Sequence, residues 1–170
     1  MKELAQLLIA KREASVIQNH AVFGAVAQIR YTDPIATLDA DVLVAVPAPD
    51  RLDVPSAINE LCAERGCRAE GEAVRVGACP AHFVPAFSPL MREAMEQAET
   101  VDFEGVPLRV VRADHLAVIG LSVGRSKDRT RILSLLESGA VTRSQIADLA
   151  ARHGLSGAWR RFEGRFSDDR

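Results

Sequence analysis

The chain has 170 residues, 48% of them hydrophobic and 26% charged, with a formal net charge of −2. That length fits one domain with a real buried core, and the charge gives no general pull towards nucleic acid or an anionic membrane. Any polyanion must therefore be held by a local patch of basic groups.

No apolar run is long enough to cross a bilayer. The first residues, MKELAQLLIAKREASV, are interrupted by Lys2, Glu3, Lys11, Arg12 and Glu13. They read as an amphipathic helix over 1–19 rather than a signal peptide or anchor, with Leu4, Leu7, Leu8, Val16 and Ile17 on one side. HAVFGAVAQIRYT predicts a short strand, a turn at Gly24 and one or two helical turns. TDP then breaks the pattern, because the residue before Pro34 is pushed out of the helical region. Asp41 to Val46 is an apolar, β-branched run that predicts a strand buried on both faces.

Val54 to Arg65 predicts a helix, with Pro55 near its start and Gly66 after its end. Short strands follow in EAVRV and AHFVPAF, then a helix over 89–98. TVDFEGVPLRVV predicts a hairpin turning at Glu104-Gly105. From Ala113 the pattern is helical, in ADHLAVIGLSVG, KDRTRILSLLESG, TRSQIADLAARHG and a last helix from Ser156 to Phe166. Trp159, Phe162 and Phe166 share one face of that helix and are expected to pack it onto the body. The layout is α+β: a core over 1–112 and a helical C-terminal subdomain over 113–170, packed on the core or continuous with it. Cys62, Cys67 and Cys79 are odd in number and lack a CxxC spacing, so buried reduced thiols are expected. Together these features point to the cytoplasm.

The chemistry concentrates at Asp39 and Asp41. Residues i and i+2 of a strand face one side, so the two carboxylates project together. Like charges this close raise each other's proton affinity unless a cation lies between them. A hard divalent ion, Mg²⁺ or Mn²⁺, suits such a pair, taking one or two carboxylates and leaving its other positions to water and phosphate. Gly24, between a strand and a helix, would present backbone N–H groups to an anion. A phosphate at Gly24 and a metal at Asp39 and Asp41 would together hold a nucleoside triphosphate. Taken singly, an Asp-x-Asp also reads as a strand edge, and a glycine after a strand as a turn.

The order of strand, glycine, short helix, proline loop, Thr37 and Asp-x-Asp resembles the nucleotidyltransferase superfamily. The likeness is to its minimal bacterial branch, near the abortive-infection nucleotidyltransferase-like toxins. It rests on FGAVAQIRYTDPIATLDADVLVAVP and continues through HFVPAFSPLMREAMEQA, LRVVRADHLAVIGLSVGRSKDRTRI and LAARHGLSGAWRRFEGRF, from Ala21 to Phe166. It implies a nucleotidyltransferase fold, a small mixed sheet backed by helices. Gly24 and Thr37 would then lie at the nucleotide, and Asp39 and Asp41 would be the metal-binding carboxylates. The implied reaction moves a nucleoside monophosphate from an NTP, ATP foremost, to a hydroxyl of a protein, a tRNA end or a small molecule. A toxin–antitoxin or defence setting is likewise an implication of the resemblance.

The sequence departs from that family in three respects. Its loop usually begins Gly-Gly or Gly-Ser, and here it reads Phe23-Gly24. Where active members carry a third acid, this chain has His82. A neutral imidazole there can ligate metal or act as a base, and the competing reading is a partly exposed strand histidine. Asp102 and Glu104 could supply an acid, but their place before a hairpin turn points to a solvated edge. Thirdly, phosphate-binding cations must come from GRSKDRTR. Arg125 and Lys127 stand open between phosphate contact and a solvated helix face, whereas Arg129 and Arg131 are expected to be solvated. Asp128 is expected to pair with Arg125 or cap the helix. His115 is expected to be structural, and His153 to sit as a cation at a helix C-terminus. No GxSxG, HExxH or P-loop occurs, which leaves hydrolase and motor readings without support. The departures at Phe23 and His82 define the rival reading, a catalytically impaired protein of the same fold that binds nucleotide or a protein partner.

Overall fold

The computed structural model describes residues 1–34, 37, 39–46, 67–70 and 73–166. The helix expected over 54–65, with Cys62 in it, lies outside the described residues. Helix α1, Lys2–Glu13, buries Leu4, Leu7 and Leu8. It ends short of the expected residue 19. Ser15 takes a left-handed φ of 57°, which an α-helix does not continue through. The chain then extends, and the Gln18 N–H donates to Ala45 O at 2.8 Å, the first bond towards the sheet.

Strand β1, Asn19–Phe23, runs directly into the short helix α2, Gly24–Gln28. Strand β2, Ala40–Ala45, is buried at Ala40, Val42, Leu43 and Val44, as its apolar run leads one to expect. There follow β3 (Arg68–Glu70), β4 (Ala73–Val76) and β5 (Cys79–Pro85). Helix α3, Pro89–Glu96, starts at Ser88, whose Oγ accepts from the Met91 N–H at 3.1 Å, with proline in the first turn. The hairpin consists of β6 (Glu99–Phe103) and β7 (Val106–Val110). Four helices close the chain: α4 (Ala113–Val123), α5 (Ser126–Glu137), α6 (Arg143–Arg152) and α7 (Ser156–Phe166).

The strands form one mixed sheet of order β3-β4-β5-β2-β1-β7-β6. β1 is antiparallel to β2 and parallel to β7, while β2 is parallel to β5. Helix α1 packs on β7, and α3 packs on β1 and β2. The Arg109 guanidinium reaches from β7 to the end of α3. It donates to Met95 O, Glu96 O and Ala98 O at 3.0, 3.2 and 3.3 Å and also to the Asn19 side chain, so a cation meets the carbonyl end of the helix.

Helix α4 is the hub of the C-terminal part, with residues 115 to 121 all buried, and it packs against α2, α3, α5, α6 and α7. Helix α6 opens on a complete capping box between Thr142 and Gln145. Trp159 and Phe162 are buried and stacked at 5.4 Å, with Phe166 tilted against Phe162 at 4.9 Å, so this stripe packs α7. Among the described residues no helix is long and apolar enough to cross a membrane.

Candidate nucleotide and metal site

The site lies where β1 turns into α2. Phe23 is extended, and Gly24 then takes φ +67° to turn the chain into the helix. A Cβ on Gly24 would stand 2.2 Å from Asp41 Oδ2, so the loop lies directly against that carboxylate. Both the backbone sign and the close approach require glycine at this position.

The sheet register places the rest. Asp41 pairs across the sheet with Phe23 on one side and His82 on the other. Asp39 lies just before β2, with its Oδ2 3.2 Å from His82 Nε2. The Thr37 hydroxyl is 3.1 Å from Asp39 O and 3.3 Å from Asp39 Oδ1. The backbone therefore brings Gly24, Thr37, Asp39, Asp41 and His82 to one end of the central strands.

The electrostatics mark Asp41. Burial, followed by the Asp39 charge, pushes its carboxyl above the usual range, against the opposing pull of His82, Lys127 and Arg131. Lys127 is exposed, and among the described residues it makes no ion pair. Arg125 is turned to Asp128, with Nε 2.8 Å from Oδ2, and its side chain is 58% exposed. That hydrogen bond raises the Arg125 pKa, with a smaller contribution from the Asp41 charge.

Arg131 corrects the expectation of a solvated side chain. It is only 13% exposed, its Nη1 lies 3.2 Å from Asp128 Oδ1, and its Nε donates to Gln28 Oε1 at 3.0 Å. Asp128, 1% exposed, thus holds both Arg125 and Arg131, and no side chain caps the start of α5. The result is a brace from α5 to α2, the helix that begins at Gly24. The Asp128-x-x-Arg131 spacing was the available signal, but nothing in it shows that α2 lies opposite. Arg129 points elsewhere, lining a small cavity with Arg161 and Phe162 of α7.

The remaining candidates take structural places. The Asp102 carboxylate accepts from the Gly105 N–H at 3.2 Å and so holds the hairpin turn. His115 is fully buried, with Nδ1 2.9 Å from Asp114 Oδ1. His153 caps α6 and also places Nε2 2.6 Å from Glu93 Oε2, an ion-pair contact beyond the helix dipole. Cys67 and Cys79 are free thiols, half-buried rather than buried.

Among the described residues no group of three or more His, Cys, Asp or Glu is arranged to hold a metal ion. A Mg²⁺ ion needs fewer protein ligands. It keeps several waters and is commonly bound through one or two carboxylates plus substrate phosphates. Asp39 and Asp41 fit that donor set: two hard oxygen donors at adjoining positions, one pushed towards protonation by burial and its neighbour's charge.

No protein-family model and no curated protein sequence matches the chain. Solved structures do match in fold. The solution structure of the antibiotic-resistance factor ANT(2″)-Ia aligns at TM-score 0.55 and 13% identity, over 95% of this chain and 96% of that one. The crystal structure of ANT(2″)-Ia in complex with adenylyl-2″-tobramycin aligns at 0.53 and 13%, over 96% and 97%. An antigenic nucleotidyltransferase-like protein from Paracoccidioides brasiliensis aligns at 0.56 and 14%, over 94% and 91%. This chain therefore has the nucleotidyltransferase fold, a mixed α+β sheet with helices packed against it.

Proposed function

We propose that the chain is a metal-dependent nucleotidyltransferase that moves a nucleoside monophosphate from an NTP, ATP foremost, to a hydroxyl acceptor. The observation that carries this reading is the contact of Gly24 with Asp41. It sets a turn able to offer backbone N–H groups against a carboxylate pair able to hold Mg²⁺ or Mn²⁺. The acceptor oxygen attacks the α-phosphorus, the bond to the β-phosphate breaks, and pyrophosphate leaves with the electron pair.

Each residue then has a task. Asp39 and Asp41 hold the metal, which supplies positive charge against the triphosphate. Gly24 and Thr37 position phosphate, and Lys127 adds charge from α5. Arg125 and Arg131 act through Asp128 and Gln28 to fix α2 in place. His82 is the proton acceptor. Its Nε2 stands 3.2 Å from Asp39 Oδ2, which sets the ring beside the carboxylate pair where the acceptor hydroxyl would sit.

A second reading has a specific observation behind it. The residue in register with Asp41 on β5 is His82, not a carboxylate, which suits a protein that binds nucleotide or a protein partner with little or no transfer. The cytoplasmic setting belongs to the proposal through the cysteine pattern and the N-terminal helix, and a toxin–antitoxin or defence role through the sequence resemblance alone.

The test is transfer of label from α-³²P NTPs, with Mg²⁺, into separate protein, tRNA and small-molecule fractions. Incorporation by wild type that is lost in Asp39→Asn/Asp41→Asn supports the first reading. Mg²⁺-dependent ATP binding without incorporation or pyrophosphate release in any fraction supports the second.

A further inference from the structure

A cavity of about 440 Å³ opens beside Asp39, a size typical of small-molecule sites. Its walls are Val26 of α2 and Ile29 just beyond it, Val101 and Phe103 of β6, and Leu108 and Val110 of β7, with Thr37 and Asp39 also lining it. Among the described residues Met1, Arg30, Cys79 and Asp102 also line it. Arg30 pairs with Glu99 at 2.7 Å, and the Asp102 carboxylate accepts from the Gly105 N–H. The surroundings of the carboxylate pair are thus lopsided. Lys127 and Arg131 act on Asp41, while Asp39 borders an apolar chamber.

Each substrate class meets that asymmetry differently. A triphosphate moved into the apolar chamber would lose its hydration with only Arg30, already paired with Glu99, to compensate, so it belongs on the side of Lys127 and Arg131. A polycationic acceptor needs a carboxylate for each of several charges, and beyond the metal-committed Asp39 the described lining offers only Asp102. A nucleobase carries donors and acceptors around its edges, and the six apolar walls would leave those facing them unpaired. An uncharged body with one hydroxyl fits all three constraints.

We infer that the acceptor is a neutral, largely apolar small molecule, seated in this cavity with its hydroxyl at Asp39. The inference rests on the transfer reading above and narrows its acceptor to a small molecule. The bonds made and broken are those already given, with the acceptor's proton passing to His82.

The test uses the full chain and the straight-chain primary alcohols from butanol to octanol as probes, with adenosine and tobramycin as contrasts. Methyl NMR reads Val26, Ile29, Leu108 and Val110, and calorimetry reads Mg²⁺–ATP binding separately. The expected result is that alcohols shift these methyls with affinity rising about fourfold per added methylene. Ile29→Asp should weaken octanol binding at least about tenfold and leave Mg²⁺–ATP binding unchanged. Ile29 is 39% exposed, so this variant keeps its fold, and Ile29→Trp provides a second block by filling the chamber.

Adenosine or tobramycin shifting these methyls in place of the alcohols would overturn the inference. So would methyls that answer to no alcohol while Mg²⁺–ATP still binds, and in that case the transfer reading survives. Failure of wild type to bind Mg²⁺–ATP would instead bring down the transfer reading, and the inference with it.

Discussion

Gly24 and Asp41 occupy adjoining space: a Cβ at position 24 would stand 2.2 Å from Asp41 Oδ2 and 3.2 Å from Asp41 Cβ. The turn that starts α2 and the carboxylate that enters β2 are therefore one unit, and neither can change shape alone. That coupling is what makes the two short motifs a site.

Gly24→Ala should be far more harmful than the same change at a glycine with open space. Gly139 has φ +71° and nothing within 4 Å of an added Cβ, so Gly139→Ala meets backbone strain alone, about 1 kcal/mol. Gly24→Ala meets that strain and displaces Asp41 as well. Urea unfolding should show the larger loss at position 24, and Mg²⁺–ATP affinity should fall at least about tenfold there only.

Arg131 and Arg125 share Asp128 but should differ in weight. Arg131→Met leaves the buried Gln28 amide without its partner and takes one cation from a buried carboxylate, at a cost of about 3 kcal/mol. Arg125→Ala removes an exposed partner and should cost under about 1 kcal/mol. Equal losses in chemical denaturation would mean that the brace to α2 carries no load.

These two arginines also show what the sequence could and could not reveal. The turn at Gly24 between β1 and α2, and the entry of Asp41 into a buried strand, were legible because strand patterning and the geometry of a strand-to-helix turn are local properties. The α+β layout, the buried β2 strand and the 99–110 hairpin were legible for the same reason. The end of α1 was not, because Val16 and Ile17 continue a helical apolar pattern while Ser15 takes a left-handed turn. The role of Arg131 depends on α5 crossing α2, a contact between residues 103 apart in sequence. The apolar cavity is assembled from separate elements, and no segment alone carries its pattern.

His20 predicts a pH dependence of stability. It is 3% exposed with Nδ1 unpartnered, and burial, then the charges of Arg109 and Arg12, lower its pKa from 6.5 to about 4. Its folded value lies below its unfolded one, so the unfolded chain binds the proton first. Stability should be full above pH 6.5 and fall by about 3 kcal/mol as the pH drops towards 4. His20→Phe should flatten that slope in denaturation curves collected across this range.

Glu93 ties α3 to the C-terminal helices. Its Oε2 is 2.6 Å from His153 Nε2, and its Oε1 is 2.8 Å from Arg152 Nη2 and 3.5 Å from His115 Nε2. Burial works to raise its pKa, but the His153 hydrogen bond and then the Arg152 charge outweigh it and leave the carboxyl below the usual 4.5. A lowered folded value means stability that is present above pH 4.5 and lost as the pH falls through the folded pKa. Glu93→Gln should cost about 1–3 kcal/mol at pH 7, and its gap to wild type should close in acid.

The central claim is that Asp39 and Asp41 together hold a divalent ion against a nucleotide. Its most direct measurement is calorimetric titration of ATP into wild type and into Asp39→Asn/Asp41→Asn, with Mg²⁺ and with EDTA. The account predicts binding by wild type that requires Mg²⁺, and its loss in a double variant that still unfolds cooperatively. ATP binding that is equal with and without Mg²⁺, or undiminished in the double variant, would contradict it.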